Sequence, residues 1–163
     1  MKVPFLDLQA QYFEIQPEVD IALKNFLATG QFIGGEYLEI FETNYANFVA
    51  ADACVGLANG LDAIEISLKA LNVGAGDEVI VPSHTFIATW LAVSNCGATP
   101  VPVEPDIQTF SITSNKIESA ITKKTKAIIP VHLYGQPVDL DPIIKLAHSH
   151  NIFVLEDAAQ AHG

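Results

Sequence analysis

From Asn59 onward the chain alternates helical and strand patterning with only short breaks, and that alternation restricts what it can fold into. Leu61, Ile64, Leu68 and Leu71 share one helical face, and Asn72, Gly74 and Gly76 end that helix. EVIVP (Glu78–Pro82) reads as a short β-branched strand, and Phe86–Asn95 as an apolar helix ended by Gly97. Pro100–Val103 reads as a further strand, whose two prolines suggest an edge or a short element. Ser114 followed by Ile117, Ala120 and Ile121 predicts a capped helix. Lys126–His132 predicts a strand, Asp139–His150 a helix and Ile152–Glu156 a final strand. Strand, helix, strand at this spacing implies parallel strands joined by crossovers, a doubly wound α/β sheet.

The first fifty residues differ. Val19–Leu27 and Glu36–Ala50 are expected to be amphipathic helices around the glycine-bearing turn TGQFIGG (Thr29–Gly35). No linker, repeat or low-complexity run divides the chain. The expectation is a helical arm over residues 1–50 followed by an α/β domain over 51–163.

Totals narrow the function. Half of the 163 residues are hydrophobic and the mean hydropathy is +0.31, which is apolar for a small monomer. Burial against a partner, or membership of something larger, would account for it. Nineteen Asp and Glu against eight Lys give a net charge of −11, the opposite of what a nucleic-acid binder or an anionic membrane surface requires. Pro4 and Asp7 interrupt the apolar run that a signal peptide needs, and no stretch reaches the roughly 18 apolar residues of a membrane span. Cys54 and Cys96 lack CxxC spacing and read as buried, reduced thiols. A cytoplasmic protein is the expectation.

Ligands of open parallel sheets bind beyond the carboxyl ends of the strands. Three such ends carry unusual residues: SHTF (Ser83–Phe86), HLYG (His132–Gly135) and EDAAQ (Glu156–Gln160). NGLDA (Asn59–Ala63) opens the first helix of this region, where Gly60 allows close backbone approach and the N–H groups of Leu61 and Asp62 suit a phosphate. The same residues also suit a plain helix cap. Asp157 calls for a cationic partner if it faces a closed site, and a protonated heterocyclic nitrogen would supply one; a cap or a solvated loop acid is the other reading. Phe86 is either core or a ring that stacks on such a heterocycle. The five histidines form no metal-ligand spacing, and no nucleophile elbow is present. No metal site is expected.

Taken together, NGLDAIEISLKAL, GDEVIVPSHTFIATWLAV, GATPVPVEPD, ITKKTKAIIPVHLYGQPVDLDPI and EDAAQAHG, with the opening VPFLDLQAQY, resemble the DegT/StrS-type nucleotide-sugar aminotransferases. The resemblance spans nearly the whole chain. It implies the N-terminal part of the large domain of the pyridoxal-phosphate-dependent aspartate-aminotransferase fold (fold type I), a mainly parallel sheet with helices on both faces. It also implies pyridoxal 5'-phosphate as cofactor. Asp157 would pair with its pyridine nitrogen, Gln160 with its ring hydroxyl, and Phe86 would stack on the ring. The Gly60-Leu61-Asp62 backbone would hold the phosphate. The wording NGLDA, TFIATWLAVS and VPVEPD is most similar to enzymes that aminate C3 of a dTDP-linked 3-keto-6-deoxyhexose, usually from glutamate. A homodimer with shared active sites is implied as well, and TGQFIGG is expected near its interface.

The family's Schiff-base lysine would lie past Gly163, in a motif like SF-x-x-x-K. None of Lys2, Lys24, Lys69, Lys116, Lys123, Lys124, Lys126 and Lys145 falls at a strand end beside the proposed site, so no catalytic residue is expected within the chain. Alone, it is expected not to bind the cofactor covalently and not to turn over. Two other readings stay open on these residues: the family's dehydratase branch, with histidine in place of that lysine, and a non-catalytic remnant. A Rossmann-type oxidoreductase is disfavoured, because GLANG (Gly56–Gly60) is not G-x-G-x-x-G.

Overall fold

The computed structural model describes residues 3–162, and the chain divides at the Gly56–Leu57 bond into two compact units. The first unit holds α1 (Leu8–Thr29) and α2 (Glu36–Phe48). Helix α1 starts well before the predicted Val19, because Asp7 caps it by accepting from the Ala10 N–H at 3.0 Å. Pro17 forfeits one ladder bond without ending the helix. Asp20 bridges that point, accepting from the Tyr12 hydroxyl at 2.9 Å and from Gln16 at 3.3 Å. The first of these bonds raises the Tyr12 phenol above its ordinary pKa. Gly30 (φ 66°) stops the helix in the left-handed conformation. Within the turn, Phe26 packs edge-on against Phe32 and Tyr37, with ring centres 5.7 and 5.6 Å away.

The second unit is a four-stranded parallel sheet in the order β2-β1-β3-β4, with β1 Glu78–Pro82, β2 Thr99–Val103, β3 Thr125–Ile128 and β4 Phe153–Val154. Helices α3 (Gly60–Ala70), α4 (Ile87–Asn95), α5 (Ser114–Glu118) and α6 (Leu140–His150) alternate with the strands. Strand alternation explains how both faces are covered. Val79, Val81, Ala127 and Ile129 point one way and pack with Ile64 and Leu68 of α3 and Ala92 and Val93 of α4. Ile80 and Ile128 point the other way, onto Ile117 of α5 and Ile143 and Ala147 of α6. Strands covered on both faces read as continuous apolar runs, as EVIVP and KAIIPV do. The prolines of β2 fit its position, since β1 is its only strand partner among the described residues.

Several boundaries differ from the sequence reading. Ser114 is the first residue of α5, and Thr113 holds the cap position without a side-chain bond. The ladder of β3 and β4 is shorter than Lys126–His132 and Ile152–Glu156, because Pro130 has no N–H to donate. Pairing continues past it: the Leu155 N–H donates to the Ile128 carbonyl, the Asp157 N–H to Pro130, and the His132 N–H to Asp157. The cysteines are free but only half-buried; the Cys96 thiol donates to the Glu65 carbonyl at 3.4 Å, and burial pushes its pKa up.

Ile80 is completely buried between β1 and the α5/α6 layer. Ile80→Ala is expected to cost about 3 kcal/mol of unfolding free energy, measured by urea denaturation, against near-neutrality for Ile144→Ala on the exposed side of α6.

Candidate functional site

The carboxyl ends of β1, β3 and β4 and the amino end of α3 converge on a cleft of about 500 Å³. Gly60, Leu61, Phe86, Asp157 and Gln160 all line it, together with Asn59, Ile64, Thr85, Thr89 and Leu133. Five of the six residues expected to hold a cofactor are thus brought together from three separated segments. The sixth, Asp62, lies outside the lining. Its N–H donates to the Asn59 side chain at 2.9 Å, and its carboxylate accepts from the Asn59 amide at 3.0 Å. The donor expected at a phosphate is therefore occupied by the helix cap. Asn59 serves as the cap, so the cap reading of NGLDA holds.

What remains at the start of α3 is open. Among the described residues, the Gly60 and Leu61 N–H groups have no acceptor within the chain. A Cβ built on Gly60 would meet nothing within 4 Å. Glycine at this position is required by neither its backbone conformation nor its neighbours, so the space above it is available to a ligand. Two unpaired N–H groups and the positive end of an eleven-residue helix favour an anion there.

Asp157 is the one ionisable side chain among the residues that line the cleft. Its backbone is pinned on both sides, by Pro130 at 2.9 Å and His132 at 3.0 Å, in an isolated bridge opposite Val131. Its carboxylate accepts from the Ala159 N–H at 3.2 Å on Oδ1 and from Thr89 Oγ1 at 3.1 Å on Oδ2. Thr85 Oγ1 stands 3.1 Å behind Thr89 Oγ1. A half-buried carboxylate in an otherwise uncharged cleft suits a cationic ligand atom.

Gln160 is oriented by the loop that follows β3. Its Oε1 accepts from the Tyr134 N–H at 2.7 Å, which leaves the Nε2 hydrogens to donate elsewhere. Tyr134 makes that bond in a left-handed backbone conformation (φ 61°, ψ 19°), which is uncommon for a residue with a side chain. Its hydroxyl lies 3.0 Å from His84 Nε2. Phe86, 73 % exposed, sits in extended conformation just ahead of α4 and presents its ring at the rim. Behind the cleft His132, 5 % exposed, accepts from the Val138 N–H at Nδ1 and so carries its proton on Nε2, facing Glu156 at 2.8 Å.

The sequence reading held Thr85, His132 and Leu133 only within the SHTF and HLYG strand ends, with no role of their own, and missed Thr89. Thr89 carried a usable signal: it is a hydroxyl four residues after Thr85, in a helix that is otherwise apolar along its buried side.

The model of the DegT/DnrJ/EryC1/StrS aminotransferase family matches residues 14–163, and the chain belongs to this family. It is 50% identical over 162 residues to a dTDP-3-amino-3,4,6-trideoxy-alpha-D-glucose transaminase of Streptomyces venezuelae, covering 99% of this chain and 43% of that protein. It is 49% identical over 161 residues to a dTDP-3-amino-3,6-dideoxy-alpha-D-galactopyranose transaminase of Aneurinibacillus thermoaerophilus, covering 99% of this chain and 44% of that one. The chain thus spans less than half the length of these curated relatives. Among solved structures, S. venezuelae DesV superposes with a TM-score of 0.96 at 50% identity, covering 99% of this chain and 44% of DesV. NtdA of Bacillus subtilis, solved with bound cofactor PMP, superposes with a TM-score of 0.94 at 40% identity, covering 98% of this chain and 37% of NtdA. The α/β architecture is that of the N-terminal part of these aminotransferases.

Asn59→Ala removes the α3 cap and is expected to cost about 1 kcal/mol in thermal or chemical unfolding, with Asn59→Ser, which keeps a capping oxygen without adding charge beside Asp62, closer to wild type.

Proposed function

We propose that this chain carries the cofactor side of a nucleotide-sugar aminotransferase site, with pyridoxal 5'-phosphate held in the cleft at the strand ends. The observation that carries the reading is the pairing of one carboxylate, Asp157, with the open amino end of α3 across the same uncharged cleft. A ligand with a cationic ring nitrogen at one end and a phosphate at the other matches that donor set. Asp157 would hold a proton on the ring nitrogen. Gln160 Nε2 would donate to the ring hydroxyl, and Gly60 and Leu61 would donate their N–H groups to the phosphate. Phe86 would cover one face of the ring and exclude water from it. When bound, such a cofactor supplies an electron sink for charge that develops at the carbon next to an amino group.

The amino acceptor in this reading is a nucleotide-linked keto-deoxysugar, aminated at C3 of a dTDP-linked 3-keto-6-deoxyhexose, with glutamate as donor. The relatives from S. venezuelae and A. thermoaerophilus, both transaminases of dTDP-3-amino sugars, support the substrate class. The enzyme is read as a cytoplasmic homodimer. Exposed apolar side chains of the first unit, Phe5, Phe13 and Ile33 among them, support association, and no helix among the described residues is long and apolar enough to cross a membrane.

Titration of the chain with pyridoxamine 5'-phosphate, which needs no covalent bond, tests the cleft. Wild type is expected to bind, with affinity at least about tenfold weaker in Asp157→Asn, the scale of one charge-assisted hydrogen bond. Gly60→Val, whose side chain would occupy the space over α3, is expected to lose binding while its unfolding midpoint moves little. Equal affinity in wild type and both variants would put the ligand elsewhere and overturn the reading.

A further inference from the structure

We infer that Thr89, backed by Thr85, is a positioning residue that aims the Asp157 carboxylate at the ring nitrogen; the inference rests on the cofactor reading of the cleft. Helical hydroxyls usually return their proton to a carbonyl of their own helix. Others in this chain do so: Thr43 to Glu39 at 2.8 Å, Ser94 to Trp90 at 3.1 Å and Ser149 to Leu146 at 2.7 Å. Thr89 does not. It is 1 % exposed, and its hydroxyl spans from α4 to Asp157, 68 residues further along the chain.

The direction of the proton chain follows from valence. An ionised carboxylate only accepts, so Thr89 donates to Oδ2. Its single proton is then committed, and its oxygen accepts from the Thr85 hydroxyl 3.1 Å away. Both hydroxyl dipoles therefore point toward Asp157, with the Ala159 N–H holding the other oxygen. These two anchors fix both side-chain torsions of a residue whose backbone is already pinned by Pro130 and His132. The carboxylate plane is set before any ligand arrives, and a ring cation meets it without reorganisation. No other charged group competes within the lining. On the adjoining loops His84 faces Tyr134, and His132 and Glu156 face each other.

The test uses pyridoxamine 5'-phosphate labelled with ¹⁵N in the ring, bound to the wild-type chain and to Thr89→Val, Thr89→Ser, Thr85→Val and Ser94→Ala. Thr89→Val is expected to weaken binding by about fivefold, the loss of one hydrogen bond to a charged group acting at one remove. It is also expected to move the pH at which the bound ring nitrogen gives up its proton, a readout that a purely structural threonine would not change. Thr89→Ser should restore both, and Ser94→Ala should change neither. Thr85→Val, at a half-buried position, should move both in the same direction but less, and it carries the test if Thr89→Val does not fold. Wild-type affinity and ring titration in a folded Thr89→Val, or equal losses in the valine and serine variants, would overturn the role of Thr89 alone. If the wild-type chain does not bind the probe, or Asp157→Asn binds as well as wild type, the cofactor reading itself fails, and this one with it.

Discussion

Everything in the cleft depends on two backbone hydrogen bonds, from the Asp157 N–H to Pro130 and from the His132 N–H to Asp157. They extend the parallel pairing of β3 and β4 one step past the point where proline interrupts it. A carboxylate at this place is therefore as firmly seated as a strand residue, although it stands outside the regular ladder. Thr89, Ala159 and the Tyr134–Gln160 bond can specify orientation only because this anchor already specifies position.

The anchor depends in turn on the sheet below it. Val79, Ile80, Val81, Ala127, Ile128 and Ile129 are all fully buried, and the two helical layers leave no room for the strands to shift. Rigid strands deliver their carboxyl ends to one edge, and the helix that precedes β1 brings its amino end to the same edge. Negative charge from one strand end and partial positive charge from the start of α3 thus stand at two sides of one cleft. That polarity, more than any single contact, makes the site suited to a ligand that is cationic at one end and anionic at the other.

Much of this was legible in the residues. The apolar runs, the glycine stops and the 3.6-residue periodicities placed every strand and helix of the second unit to within a few positions. Errors gathered where local and longer-range terms compete. The helix expected from Val19 starts at Leu8 instead, capped by Asp7 and bridged past Pro17 by Asp20. Pro130 reads as a strand residue, yet it cuts the ladder. Asp62 was expected to give its N–H to a ligand, and the Asn59 cap takes it instead. Thr89 stood out only as a hydroxyl on an apolar helix face, and its partner, 68 positions away, was set by the fold.

By itself the sequence determined the alternation of strands and helices, the family resemblance and the chemical types available at each strand end, since these depend on local patterning and residue identity. Only the tertiary structure decided which donors stay open and which are spent on caps, which hydroxyl reaches Asp157, and that Gln160 spends its amide oxygen on the Tyr134 N–H. Hydrogen-bond valence is the physical reason. Each donor serves whichever acceptor the folded chain brings within about 3 Å, and that choice is made by packing between segments far apart in sequence.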